Sequence, residues 1–125
     1  MSQIFLAIAS IFGGLAVGAG AFATHALRER LSERSLEIFE VAVRYQMYHA
    51  LALLLVALLI SRQQFPQPML IAAGWGFIIG ILIFSGSLYV LSLTDFKVLG
   101  AITPIGGAAF IAGWSALAIA AFSLK

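Results

Sequence analysis

The sequence predicts an all-α membrane protein, with four transmembrane helices in an antiparallel up-down bundle and an amphipathic helical segment between the first two. Three observations predict it. Composition comes first: of 125 residues, 62% are hydrophobic and only 10% charged, where a soluble domain carries about 25% charged residues. Second, four stretches, 4–27, 45–61, 69–93 and 98–124, contain no Asp, Glu, Lys or Arg. Crossing a hydrocarbon core of about 30 Å takes roughly 20 helical residues, and lipid leaves backbone N–H and C=O groups no partner outside the helix. Third, the connections between the last three stretches are short, which makes neighbouring helices antiparallel. The whole chain, 1–125, is one such domain, with no room for a separate soluble one.

The first stretch is rich in small residues. Gly14-x-x-x-Gly18 offers a flat face to a neighbouring helix, and close packing does much of the holding together in lipid. Residues 2–24 carry no Lys or Arg, so the basic start of a signal peptide is missing and a permanent helix is expected. The polar segment follows. Ser32 is placed to cap a helix, Glu33 suits the positive end of its dipole, and Glu40 precedes Arg44 by the four residues of a helical ion pair. Leu36, Phe39 and Val43 share a face, so residues 32–44 are read as an amphipathic helix at the membrane surface, running on into the second span.

Pro66 and Pro68 end the second span and start the third. The third span repeats the small-residue device with Gly76-x-x-x-Gly80, and the fourth with Gly106 and Gly113. Packing within the bundle is the preferred role of these glycines, with a homodimer seam as the alternative.

The side holding the first and last links, side B, carries Arg28, Arg30, Arg34, Arg44 and Lys97, while side A carries Arg62 and Lys125. The positive-inside rule therefore puts side B in the cytoplasm and both termini outside. The antiparallel layout also brings the polar residues of the spans towards side B: His25, Gln46, His49, Ser85, Ser87, Tyr89 and Thr103. The preferred reading of this cluster is interhelical hydrogen bonding. A small-molecule or lipid site comes second, since intramembrane polar groups often mark function. A haem held between His25 and His49, or a zinc site, comes last.

No catalytic residue, cofactor site or metal site is assigned. There is no Cys, which removes disulfides and thiolate chemistry. No Gly-x-Ser-x-Gly elbow, His-Glu-x-x-His or phosphate loop occurs. No clustered basic face suggests nucleic acid. The implied partners are the lipid bilayer and a further membrane protein or a second copy.

Four strings carry a resemblance across the whole chain. They are Gly20-Ala21-Phe22-Ala23-Thr24-His25-Ala26-Leu27, Tyr45-Gln46-Met47-Tyr48-His49-Ala50-Leu51-Ala52, Phe84-Ser85-Gly86-Ser87-Leu88-Tyr89, and Ile102-Thr103-Pro104-Ile105-Gly106-Gly107 with Ala112-Gly113-Trp114. Together they resemble the YgdD-like small membrane proteins, related to eukaryotic transmembrane protein 256. Thr24 departs from the pattern, where a small Gly or Ala is expected. The resemblance implies a multi-pass protein of the bacterial plasma membrane, and no activity, cofactor or catalytic residue. The expected role is a small non-enzymatic accessory or binding subunit of a membrane assembly, with binding or transport through a polar pocket at the side-B ends as the alternative.

Overall fold

The computed structural model describes all 125 residues. The chain is helical throughout its length except at the links. Helix α1 (Ser2–Phe22) runs directly into a π-helical turn, Ala23–Leu27. Helix α2 spans Glu33–Ser61. Helix α3 (Pro68–Gly80), a second π turn (Ile81–Ser85) and helix α4 (Gly86–Thr94) form one continuous third span. Helix α5 covers Leu99–Ala121. Four helical units, Ser2–Leu27, Glu33–Ser61, Pro68–Thr94 and Leu99–Ala121, are long and apolar enough to cross a membrane.

Local chemistry sets the ends. Ser32 Oγ accepts from the backbone N–H of Ser35 at 3.1 Å and starts α2. Pro68 occupies the first turn of α3, where its missing N–H costs nothing. Asp95 ends α4 in the left-handed conformation (φ 56°), its N–H donating to Leu91 O at 2.8 Å.

The amphipathic segment runs on into the second span as expected, residues 33–44 forming the first turns of α2. What differs is the surroundings of its apolar face. Phe39 is buried with Ala23 and Leu27 from the end of the first span, and its ring meets Tyr89 edge-on at 4.9 Å. That face is consumed by the bundle, so it is not available to lie on lipid. With 29 residues, α2 is about 44 Å long and exceeds the hydrocarbon thickness. Glu40 and Arg44 pair at 3.6 Å on its polar side.

Contacts along the helices define an antiparallel bundle. Ser2 and Leu6 line a groove with Leu58 and Ser61, while Leu27 packs on Phe39 at the other end. The third and fourth spans pair Gly76 with Gly113, Phe84 with Gly106, and Ser87 with Thr103. The core lies between α1, α2, α3 and α5 around the fully buried Phe5, Leu53, Leu70 and Phe77.

The glycines separate into two groups. A Cβ on Gly76 would lie 2.8 Å from Gly113 Cα, and one on Gly106 would overlap the backbone of Phe84. These helices touch backbone to backbone, which no larger residue permits. Gly80 accepts the ring of Phe110 in the same way. Gly14 and Gly18 do the opposite: nothing lies within 4 Å of a Cβ on either. The bundle packing expected of this pair is absent, because α1 packs through its other face, where Phe5, Ala9 and Ala16 are buried and Phe5 meets Gly74 of α3.

Candidate functional site

The polar residues of the spans do not form one cluster. They form a ladder of pairwise bonds, each tying two spans together. At the side-B end, Ser87 Oγ and Thr103 Oγ1 lie 2.6 Å apart, linking the third and fourth spans. Both hydroxyls also reach carbonyls of their own helices, Phe84 O at 2.9 Å and Leu99 O at 3.2 Å. Ser85 Oγ donates to Ala42 O at 2.8 Å, joining the third span to the second. The π turn that contains Ser85 sits where Phe84 presses on Gly106, so one side of the turn faces α5 and the other α2.

Gln46 is a three-way junction. Its Nε2 donates to Phe12 O in α1 at 2.8 Å, and its Oε1 accepts from Tyr89 Oη in α4 at 2.6 Å. Deepest in the ladder is His49. Its Nδ1 lies 2.7 Å from Tyr45 O and its Nε2 3.0 Å from Trp114 Nε1. Indole N–H can only donate, so Nε2 must accept and the proton must sit on Nδ1, donating to Tyr45 O. The imidazole is thus neutral, held as one tautomer. It stacks on Phe110 at 3.5 Å and 10° and is flanked by Phe77 and Trp114. From Thr103 to Trp114 the ladder extends about 16 Å along α5.

His25 stands apart. It is exposed on the π turn of the first span and makes no bond to the ladder. Ala23 and Leu27, on either side of it, pack on Phe39, and His49 lies about 15 Å further along α2 than Phe39. The two histidines are therefore not a pair of axial ligands. Both nitrogens of His49 are already engaged, so its ring has no lone pair to offer iron or zinc. No group of three His, Asp or Glu is placed to hold a metal ion. No buried side-chain nitrogen or oxygen lacks a partner. Of the residues named for the alternative reading, Gln46 and Tyr89 border a groove between the first span and α4, with their polar atoms bonded to each other. Thr24 is likewise occupied locally, donating to Gly20 O at 3.1 Å.

Trp114 is the member of the ladder that sequence reasoning passed over as a site residue. A signal existed. An indole far from either end of a span carries a donor that hydrocarbon cannot satisfy, so it demands an acceptor on another helix.

Comparison with known proteins agrees with the membrane setting. The family described as "Protein of unknown function (DUF423)" matches residues 19–107. The chain belongs to the DUF423 family. This matched segment holds His25, Gln46, His49, Ser85, Ser87, Tyr89 and Thr103, while Trp114 lies beyond it. The UPF0382 membrane protein YwdK of Bacillus subtilis is 43% identical over 119 residues, covering 95% of this chain and 96% of that protein. A UPF0382 membrane protein of Staphylococcus epidermidis is 45% identical over 118 residues, 94% of each chain. One from Staphylococcus haemolyticus is 42% identical over 120 residues, 96% of each. No solved structure matches. This DUF423 protein is a multi-pass integral membrane protein of bacterial type, as the resemblance of its motifs implied.

Proposed function

We propose that this DUF423 protein is a small, non-enzymatic subunit of a larger membrane assembly. One observation carries the reading: the intramembrane polar side chains of the ladder are spent on holding spans together, which leaves no unengaged nucleophile, acid or base there. The outward surface supports it. Within the most apolar 18-residue stretch of each span, only 17% is buried in the first and the fourth, against 39% in each of the two between, so the outer spans offer long apolar faces to a neighbour. Polar surface is confined to the links and the first turns of α2. Native mass spectrometry after gentle extraction tests the proposal. A partner retained at fixed stoichiometry is expected, and particles of 13.3 kDa or whole multiples of it alone would overturn the accessory role.

The same reading sets both termini outside the cytoplasm, supported by the five basic residues of side B against the two of side A. A phosphatase reporter fused after Lys125 is expected to be active, since it works only outside the cytoplasm. A green fluorescent fusion that lights up from the same position would reverse the orientation.

A further inference from the structure

Acidic and basic side chains are divided unequally between the two ends of the bundle. All five acids, Glu29, Glu33, Glu37, Glu40 and Asp95, lie at side B, and side A holds no Asp or Glu. The two basic side chains of side A, Arg62 and Lys125, come from different parts of the chain, one just after α2 and the other shortly after α5. The fold brings both to one cleft of about 440 Å³. Gln63, Gln64 and Gln67 of the α2–α3 link and Ser123 line the same cleft.

These polar side chains are in the opposite condition to those of the ladder. None of the six makes a side-chain hydrogen bond within the protein. Both ion pairs lie within α2 at side B, Arg34 with Glu37 and Arg44 with Glu40, so Arg62 and Lys125 have no anionic partner. Two helix N-termini and two C-termini are at side A, so the helix dipoles there largely cancel. What remains is positive charge set among unengaged N–H and O–H donors, which is the chemistry of an anion site.

Position and lining select the anion. The cleft lies where α2 and α5 leave their apolar spans, which is the level of lipid headgroups. Its one apolar residue, Phe65, is largely exposed and offers contact that a tailed anion uses and a free ion does not. The lack of acids and the supply of amides then select the headgroup. The ammonium of a zwitterionic headgroup finds no carboxylate side chain here. Hydroxyls find the amide oxygens of Gln63, Gln64 and Gln67, which accept.

We propose that the side-A cleft binds the phosphate of an anionic phospholipid whose headgroup carries hydroxyls, of the phosphatidylglycerol class. Arg62 and Lys125 hold the phosphate, and the three glutamines take the hydroxyls. A cleft at side B supplies the contrast. It also holds two cations, Arg34 and Lys97, but Asp95 lines it and Glu37 pairs with Arg34, so its charge is balanced. The side-A site is independent of the accessory role and involves no chemical step.

The test uses the full chain in non-ionic detergent, titrated with phosphatidylglycerol, phosphatidylcholine or phosphatidylethanolamine of the same acyl chains and read by native mass spectrometry. Saturable one-to-one binding of phosphatidylglycerol is expected, at least about tenfold tighter than of either zwitterionic lipid, which corresponds to about 1.4 kcal/mol. Arg62→Gln combined with Lys125→Gln is expected to abolish that preference. Arg34→Gln combined with Lys97→Gln removes the same charge from the other end and is expected to keep it. This control separates a built site from the general attraction of basic residues to an anionic surface. All four side chains are exposed, so both double variants are expected to unfold at the temperature of the parent protein, which shows an intact bundle. Glycerol 3-phosphate, a headgroup without tails, is expected to displace the lipid only in large excess. Equal binding of phosphatidylcholine, an unchanged preference in the side-A variant, or an equal loss in the side-B variant would overturn the proposal. So would displacement by an equimolar amount of glycerol 3-phosphate, because the occupant is then a soluble anion.

Discussion

His49→Phe is the most informative perturbation of the ladder. Phenylalanine keeps a flat ring to stack on Phe110, now 3.5 Å from the imidazole, but removes both nitrogens. The Tyr45 carbonyl sits inside α2, where the helix already engages it, so that loss is small. Trp114 Nε1–H loses its acceptor, and its half-exposed ring faces hydrocarbon, which supplies none. A donor left unpaired away from water costs about 1–3 kcal/mol. Trp114→Phe removes the donor, so its cost includes the lost bond and some ring contact. The double variant isolates the bond itself. Interhelical hydrogen bonds in membranes average about 0.6 kcal/mol and reach about 1.7, so the coupling energy between His49 and Trp114 is expected in that range. Reversible unfolding in mixed micelles measures all three variants. His25→Ala serves as reference: the residue is exposed and unbonded, so its effect is expected to stay within about 0.5 kcal/mol. A His49–Trp114 coupling indistinguishable from zero, or a His25→Ala variant as unstable as His49→Phe, would refute the assignment of this pair as a structural tie.

Further expectations follow from the packing and the caps. Gly106→Ala drives a methyl group into the backbone of Phe84, so it is expected to lose about 1–3 kcal/mol or more in the same unfolding assay. Gly14→Ala meets open space, and should be neutral or gain up to about 1 kcal/mol from helix propensity. Ser85→Ala removes one bond to Ala42 O and is expected to cost about 0.6 to 1.7 kcal/mol. Ser32→Ala deletes the cap of α2, with an expected loss of about 1 kcal/mol and faster amide hydrogen exchange at Ser35 by mass spectrometry.

Much of the fold was legible from the chain. Charge-free runs of span length can satisfy their backbone only as helices, and short links leave neighbouring helices little choice of direction. Caps were legible too, because Ser32 and Pro68 act on the backbone within a turn of themselves. Amphipathicity was less reliable. The stripe of Leu36, Phe39 and Val43 says that a face is buried but not against what, and its partner turned out to be the end of the first span and Tyr89. Both π turns went unforeseen, since one added residue per turn leaves no mark on a stretch that is apolar on every side.

The candidate site shows the same division more sharply. The sequence by itself determined the class of molecule, its membrane setting, its DUF423 motifs and the short list of polar side chains that have to be satisfied away from water. Tertiary structure alone decided how they are satisfied. It set His25 outside and His49 against Trp114, and it spent Gly76, Gly80, Gly106 and Gly113 on helix contacts while leaving Gly14 and Gly18 open. The physical reason is that hydropathy is a property of single residues and survives any arrangement. A hydrogen bond or a backbone contact between helices depends on rotation and depth, to within about an ångström, and residues far apart in the chain set both.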